Sequence, residues 1–282
     1  MKVPQKLGLI VEGNSTKSII LRYPGLAENI GPIKASAPSV AHRVSKFIRA
    51  GSAIDTYEEL EGCELILIHV PDESARRVVW ELAASKLNMT GVSFVLCESW
   101  LPSAVLSPLK QRGALTATLL AVPSESAHWF ALEGGYAAVK RTKRLLNSLD
   151  ASVVELKDGT KHLYFAANTF AETLPRGLFA AAQQALRAAG LSGNHLYAVL
   201  EEMAQSMFRD ISKGARAGWT GPLMDCPQEI ASEYLVRLQE AKPDLAALLS
   251  DHLKLADPFM QQRIQRRSKR GGTAGGAIRS NP

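Results

Sequence analysis

Short apolar runs and longer amphipathic stretches alternate along the first 157 residues. A continuous apolar run bounded by turn residues is typical of a parallel strand that is buried on both faces. Such runs predict strands at 7–11, 32–36, 51–54, 64–70, 92–97, 115–122, 129–133 and 152–156. The main helical stretches between them are 40–50, 73–87, 104–112 and 136–149. Strands that alternate with helices predict an α/β fold with a mostly parallel sheet.

The pattern changes after Gly159, where the strand signals end. Helical patterns cover 161–189, 194–213, 228–241 and 243–255. Pro175 is expected to kink the first of these helices, because proline removes a helical hydrogen bond. The sequence therefore predicts a sheet domain over residues 1–157 and an all-α domain over residues 158–261.

The formal net charge of +6 comes from the end of the chain. Residues 262–282 hold six of the 33 basic residues and no acid, which leaves 27 basic against 27 acidic residues elsewhere. This segment is also rich in glycine, so we expect a disordered basic tail. The body is neutral, and specific binding of nucleic acid is not expected.

Membrane, export and metal sites are not expected from the sequence. No apolar run is long enough to span a bilayer, and the chain enters its first strand almost at once. Cys63, Cys97 and Cys226 are scattered and lack the spacing of metal ligands. We therefore expect a cytoplasmic protein without a metal site.

The first strand, Leu7 to Val11, leads into Gly13-Asn14-Ser15-Thr16 and a new apolar stretch. A strand, a tight turn and a helix N-terminus form the unit that binds the pyrophosphate of a dinucleotide. The G-x-G-x-x-G fingerprint would place glycines at positions 11, 13 and 16, and only Gly13 is present. Two alternatives stay open: a working nucleotide site, or a Rossmann-like fold whose site is lost or altered.

Further contacts to a dinucleotide are expected at the carboxyl ends of the strands, where ligands bind in open α/β sheets. Val70-Pro71 and Glu98-Ser99 occupy two of these ends. The second strand ends at Ser36-Ala37, with neither the acid that favours NAD nor an arginine that favours NADP. Arg43 follows on the next helix and could reach a 2′-phosphate, or it could be a surface arginine.

Lys161, Tyr164 and Asn168 are spaced so that they share one face of an otherwise apolar helix. An unpaired buried ammonium is costly, so this stripe should face solvent or a solvated cleft. It is either an ordinary solvent-facing stripe or a donor array at the cleft between the two domains. In the second interpretation Lys161 is the general acid of a hydride-transfer reaction.

Five motifs occur in order along the chain: KLGLIVEGN from residue 6, LILIHVPDESA from residue 65, WFALEGG from residue 129, KHLYFAANTFAETL from residue 161 and WTGP from residue 219. Together they resemble a bacterial family with a Rossmann-like N-terminal domain and a helical C-terminal domain of unknown function. That family is similar to pyrroline-carboxylate reductases, β-hydroxyacid dehydrogenases and ketopantoate reductase.

The resemblance implies an NAD(P)-binding domain and a C-terminal domain like that of phosphogluconate dehydrogenase. It also implies a homodimer through the helical domain, and Lys161 and Asn168 match the family's catalytic lysine and asparagine. We expect an oxidoreductase that uses NADP or NAD on a small carbonyl, imine or hydroxy acid. The chain departs from the family at two fingerprint glycines and at Phe165, where the family often has histidine. The alternative is therefore a degenerate relative that binds a nucleotide or a protein partner without turnover.

Overall fold

The computed structural model describes residues 7–12, 24–122, 129–213 and 227–254, and it divides into two compact units, residues 1–170 and 171–282. The strands of the first unit are β1 Leu7–Val11, β2 Ile30–Ala35, β3 Ser52–Ile54, β4 Leu65–His69, β5 Ser93–Cys97, β6 Leu115–Ala121, β7 Trp129–Gly134 and β8 Ser152–Glu155. They form one sheet in the order β3-β2-β1-β4-β5-β6-β7-β8.

The helices of the first unit within the described residues are α1 Pro24–Ala27, α2 Pro38–Ile48, α3 Asp72–Ala84, α4 Ser107–Gln111, α5 Tyr136–Asn147 and α6 Lys161–Asn168. Short 3₁₀ turns cover Glu58–Leu60 and Ser103–Leu106. The second unit contains α7 Leu174–Ala188, α8 Gly193–Ser212, α9 Gln228–Ala241 and a further helix, α10, over residues 243–254.

The strand order creates one topological switch point, between β1 and β4. Strand β1 pairs in parallel with β2 on one side and with β4 on the other, so the chain winds outward in both directions from this pair. Every other neighbouring pair is parallel except β6 with β7, which is antiparallel. In such sheets ligands bind beyond the carboxyl ends of the strands at the switch point.

Both faces of the sheet are covered, which explains the continuous apolar strands. Leu9, Val95 and Phe130 belong to a buried cluster on one face, which α5 helps to close. Ile66 and Phe94 belong to the cluster on the other face, which α3 and α4 close. The prediction of an α/β fold with a mostly parallel sheet, helices around it and a helical C-terminal part is confirmed.

The helical stretch predicted over 161–189 with a kink at Pro175 is interrupted in the structure just before that proline. Helix α6 ends at Asn168, a π-helical turn spans Thr169–Thr173, and α7 begins at Leu174. Pro175 lies just after the π turn, and its missing N–H leaves the carbonyl four residues earlier without a helical donor.

The second unit carries little buried apolar surface of its own. Among its described residues only Leu196 and Ala246 are buried, whereas many large apolar side chains on α7, α8 and α9 are exposed. None of the described helices is both long and apolar enough to cross a bilayer. The expected functional division at residues 157 and 261 stays a prediction, and the expected tail, residues 262–282, lies outside the described residues.

Candidate active site

Lys161 is the first residue of α6, and its side chain is buried, with only 3% of its surface exposed. Its ammonium donates one hydrogen bond to the carbonyl oxygen of Leu101 (2.8 Å) and one to the hydroxyl of Thr118 (2.9 Å). An ammonium has three N–H donors. The third therefore has no acceptor among the residues that the structure describes.

Glu133 lies beside this lysine and is 99% buried. Antiparallel pairing of β6 and β7 places it directly opposite Thr118, and side chains of such a pair lie on the same face of a sheet. The next residue, Gly134, has φ +146°, and a Cβ there would stand 2.5 Å from the carbonyl oxygen of Thr116. Glycine thus lets β7 approach β6 closely, next to the point where Glu133 faces Thr118.

The carboxylate of Glu133 is fully engaged with backbone donors. Its Oε2 accepts the N–H of Ser103 (3.0 Å), and its Oε1 accepts the N–H of Gly159 (3.0 Å). The hydroxyl of Ser103 also donates to Asp158 (3.0 Å). The loop after β5 and the segment before α6 are therefore tied to the same strand.

A second carboxylate, Asp72, holds the loop that follows β5. The hydroxyl of Ser99 donates to Oδ1 of Asp72, and the backbone N–H of Trp100 donates to Oδ2 (3.1 Å). Glu98, just before them, has φ +55°, a left-handed conformation that is uncommon outside glycine. This bend turns the chain at the carboxyl end of β5 back towards Asp72 at the start of α3.

The surroundings of Lys161 lower its pKa to about 8. The main cause is burial, which disfavours the charged ammonium. Glu133 and, to a smaller degree, Asp72 and Cys97 act in the opposite direction and raise the pKa of Lys161. A lysine whose pKa lies near neutrality can exist as both ammonium and amine at working pH, as acid–base chemistry requires.

Aromatic side chains surround the start of α6. The ring of Trp100 stacks on Tyr164 with a centroid distance of 6.3 Å and meets Phe165 edge-on at 5.3 Å. Trp100 is 44% exposed and Phe165 is 53% exposed. The hydroxyl of Tyr164 is buried and has no hydrogen-bond partner among the described residues. These rings form an apolar wall with one uncommitted polar atom.

The structure corrects one expectation about the Lys161, Tyr164 and Asn168 stripe. The interpretation of Lys161 as a solvent-facing surface lysine is wrong, because its ammonium is buried and hydrogen-bonded. Tyr164 and Asn168 are half-buried. No described contact brings Asn168 to Lys161. Tyr164, in contrast, stacks on Trp100, which belongs to the loop that accepts the lysine's hydrogen bond.

The carboxyl end of β1 bears a paired charge. Glu12 follows β1, is buried, and accepts a hydrogen bond at 2.5 Å from Arg77 of α3, which also bonds Glu81 (2.7 Å). The pair spans the switch point, since α3 follows β4. The expected pyrophosphate turn, Gly13, Asn14, Ser15 and Thr16, begins at the next residue and lies outside the described residues.

The other expected cofactor-binding residues all lie beyond strand carboxyl ends. Val70 is buried and Pro71 is exposed, directly after β4. Glu98 is half-buried and Ser99 is fully buried after β5, and the hydroxyl of Ser99 is already bonded to Asp72. Arg43 is exposed on α2, the helix that follows β2. Their roles stay predictions.

Glu133, Asp72 and Thr118 were not assigned to the site from the sequence. A usable signal exists for Glu133, which is an acid inside an otherwise apolar strand, WFALEG. Such a residue needs partners if the strand is buried. No local pattern marks Thr118 or Leu101, because their role comes from residues 43 and 60 positions away in the sequence.

Comparison with known proteins gives the same picture of the fold. Residues 128–226, which include Glu133 and Lys161, match the family described as Domain of unknown function (DUF2520). The chain superposes on protein TM1727 from Thermotoga maritima with a TM-score of 0.64 at 17% identity, covering 90% of this chain and 98% of that one. The two chains share a Rossmann-like fold.

Two further solved structures share that fold and have defined activities. The pyrroline-5-carboxylate reductase from Coxiella burnetii gives a TM-score of 0.58 at 11% identity, covering 95% of this chain and 98% of that one. An imine reductase from Myxococcus stipitatus in complex with NADP⁺ gives 0.60 at 15% identity, covering 93% and 94%. The resemblance predicted from the sequence is therefore confirmed for the fold. No curated protein matches the sequence significantly.

One described ion pair, Arg77 with Glu12, bears on whether a dinucleotide could bind at the switch point. A buried unpaired carboxylate at the end of β1 would repel a pyrophosphate, but Arg77 neutralises Glu12 there. Among the described residues no cluster of three or more potential metal ligands occurs.

Proposed function

We propose that the chain is an NAD(P)-dependent oxidoreductase that transfers a hydride to or from a small carbonyl, imine or hydroxy acid. One observation carries this proposal. Lys161 is a buried ammonium bonded to the loop at the carboxyl end of β5 in a sheet with Rossmann order, and its third N–H has no acceptor among the described residues. A buried lysine with a perturbed pKa in such a location is typical of a functional site.

The dinucleotide would lie across the switch point between β1 and β4. The backbone N–H groups of the turn Gly13, Asn14, Ser15 and Thr16 would bind its pyrophosphate. The segments Val70-Pro71 and Glu98-Ser99 would border it, and Arg43 would bind the 2′-phosphate of NADP. When bound, the cofactor supplies or accepts the hydride.

Lys161 would act on the reacting group of the substrate. Its third N–H would donate to a carbonyl oxygen or imine nitrogen, stabilising negative charge that develops there and delivering a proton. The bonds to Leu101 and Thr118 fix the ammonium in place, so little reorganisation is needed during the reaction. The hydroxyl of Tyr164 would be a second donor besides the ammonium, and Asn168 would orient the substrate.

A second copy of the chain is the partner that we propose for the helical unit. Its exposed apolar side chains include Leu174, Tyr197, Met207, Phe208 and Tyr234. Large apolar side chains exposed in this number are typical of surfaces that pack against a partner. A homodimer through α7, α8 and α9 would bury it.

The test is oxidation of NADPH and NADH with a panel of small ketones, cyclic imines and keto acids. We expect turnover by the wild type and at least about a hundredfold loss in Lys161→Met, which removes one donor to the developing charge. Lys157→Met is the matched control, because Lys157 is exposed and four residues away. Dinucleotide binding without turnover on any substrate would instead support the degenerate, non-enzymatic alternative.

A further inference from the structure

We propose that Glu133 is a positioning residue for Lys161, fixing the two chain segments between which the lysine lies and keeping its ammonium charged. The kinetic part of this inference rests on the proposed function. The structural part, which concerns the protonation of Lys161, does not.

The first segment is the one that leads into α6. Oε1 of Glu133 accepts the N–H of Gly159, two residues before Lys161. This bond sets the start of the helix against β7, and the start of the helix is the position of Lys161. A charge-assisted bond of this type is stronger than a bond between neutral groups.

The second segment is the loop that accepts a hydrogen bond from Lys161. Oε2 of Glu133 accepts the N–H of Ser103, two residues after Leu101. The carbonyl of Leu101 in turn accepts the hydrogen bond from Lys161. One carboxylate therefore binds the backbone near Lys161 and the backbone near its acceptor Leu101. In each case the bonded N–H lies two residues away in the sequence.

The charge of Glu133 also acts on the ammonium. The groups that face Lys161 are Glu133 from β7, Asp72 from α3 and Cys97 from β5. Cys97 is fully buried and its pKa is raised, so it stays a neutral thiol near pH 8. Both oxygens of Asp72 accept hydrogen bonds, as both oxygens of Glu133 do. Glu133 raises the pKa of Lys161 more than Asp72 does, which makes it the main counter-charge of the buried lysine.

The pH dependence of stability distinguishes a purely structural role of Glu133 from a role in keeping Lys161 charged. If Glu133 only braces the loop, its loss should lower stability equally at all pH values. If it also holds the proton on Lys161, its loss should lower the pKa of Lys161, and the pH at which the lysine deprotonates should fall with it.

The experiment uses Glu133→Gln, which has nearly the same shape without the charge, and Glu155→Gln as the matched control. Glu155 is an exposed β8 carboxylate paired with Lys143. The protonation of Lys161 is measured from the free energy of unfolding as a function of pH. For each protein, the value for the same protein carrying Lys161→Met is subtracted. For Glu133→Gln we expect the midpoint of that difference to move down by about one pH unit or more. Glu155→Gln should leave it in place.

The second readout is the upper pH limit of turnover, which should shift by the same amount in Glu133→Gln. Glu133→Asp keeps the charge, so it should retain the wild-type midpoint while lowering turnover, and it serves if Glu133→Gln fails to fold. An unchanged midpoint in Glu133→Gln, or a lowered one in Glu133→Asp, overturns the proposal. If no protein shows turnover but the midpoint shifts, the proposed function fails and the link between Glu133 and Lys161 stands.

Discussion

The ammonium of Lys161 lies 2.8 Å from the carbonyl oxygen of Leu101, 60 residues earlier in the chain. This contact joins the first residue of α6 to the loop at the carboxyl end of β5. That edge of a Rossmann sheet is where ligands bind, so the lysine is fixed beside the expected position of the cofactor.

The pH dependence of stability should reveal the buried lysine. The unfolded chain keeps a proton on Lys161 up to the ordinary value of 10.5, whereas the folded chain keeps it only up to about 8. Between these values unfolding takes up a proton, so the contribution of Lys161 to stability is present above pH 10.5 and is lost as the pH falls towards 8. Below pH 8 the free-energy cost of burying the charged ammonium no longer changes with pH.

Denaturant unfolding of the wild type and of Lys161→Met from pH 6 to 11 measures this effect. The wild type should gain stability relative to the variant between about pH 8 and 10.5, by up to roughly 3 kcal/mol. The same comparison with Lys157→Met should be flat. A flat profile for Lys161→Met as well would mean that the lysine is solvated.

The strands could be predicted closely from the sequence, because a strand buried on both faces has a continuous apolar run. Leu65–His69 and Ser93–Cys97 each lie within the predicted limits. Pro175 predicts a kink in the helix after Asn168, but not that the kink takes the form of a π turn over Thr169–Thr173, because proline marks the break without fixing its hydrogen bonds.

The environment of Lys161 could be predicted only in part. Its helix and its helical face follow from the residue spacing. General chemistry adds that an ammonium needs partners if it is buried. The partners themselves, Leu101, Thr118 and Glu133, come from loops and strands that only the sheet order brings together. Without them the spacing left two alternatives open, and the structure excludes only a solvent-facing Lys161.

Arg77 should support dinucleotide binding through Glu12. Replacing it by methionine leaves an uncompensated carboxylate at the carboxyl end of β1, where this fold binds phosphate. We expect Arg77→Met to weaken NADPH binding about tenfold, equivalent to about 1.4 kcal/mol. Fluorescence titration measures the Kd.

Two further variants test the cause of that loss. Arg76→Met changes an exposed neighbour on α3 and should bind like the wild type. Adding Glu12→Gln to Arg77→Met removes the unpaired charge and should restore most of the affinity. Full affinity in Arg77→Met alone would show that Glu12 does not face the phosphates.

The helical unit should associate with a second copy of the chain. Phe208 on α8 is exposed in the single chain, and a carboxylate there would be costly inside an apolar interface. Light scattering at micromolar concentration should give a dimer for the wild type and a monomer for Phe208→Glu. Tyr136→Glu, the same kind of change at the exposed first residue of α5 in the first unit, should remain dimeric. A monomeric wild type would contradict the proposed interface.

The most direct test measures the binding of NADPH and NADH to the wild type and to Gly13→Val by titration calorimetry. Gly13 is the one fingerprint glycine that remains, and a side chain there would block the approach of a pyrophosphate to the following N–H groups. Gly177→Val is the matched control, because a Cβ at Gly177 would meet nothing within 4 Å. We predict measurable binding of at least one dinucleotide to the wild type and to the control, and no measurable binding to Gly13→Val. No binding of either dinucleotide to the wild type, or equal binding to Gly13→Val, would contradict a dinucleotide site at the switch point.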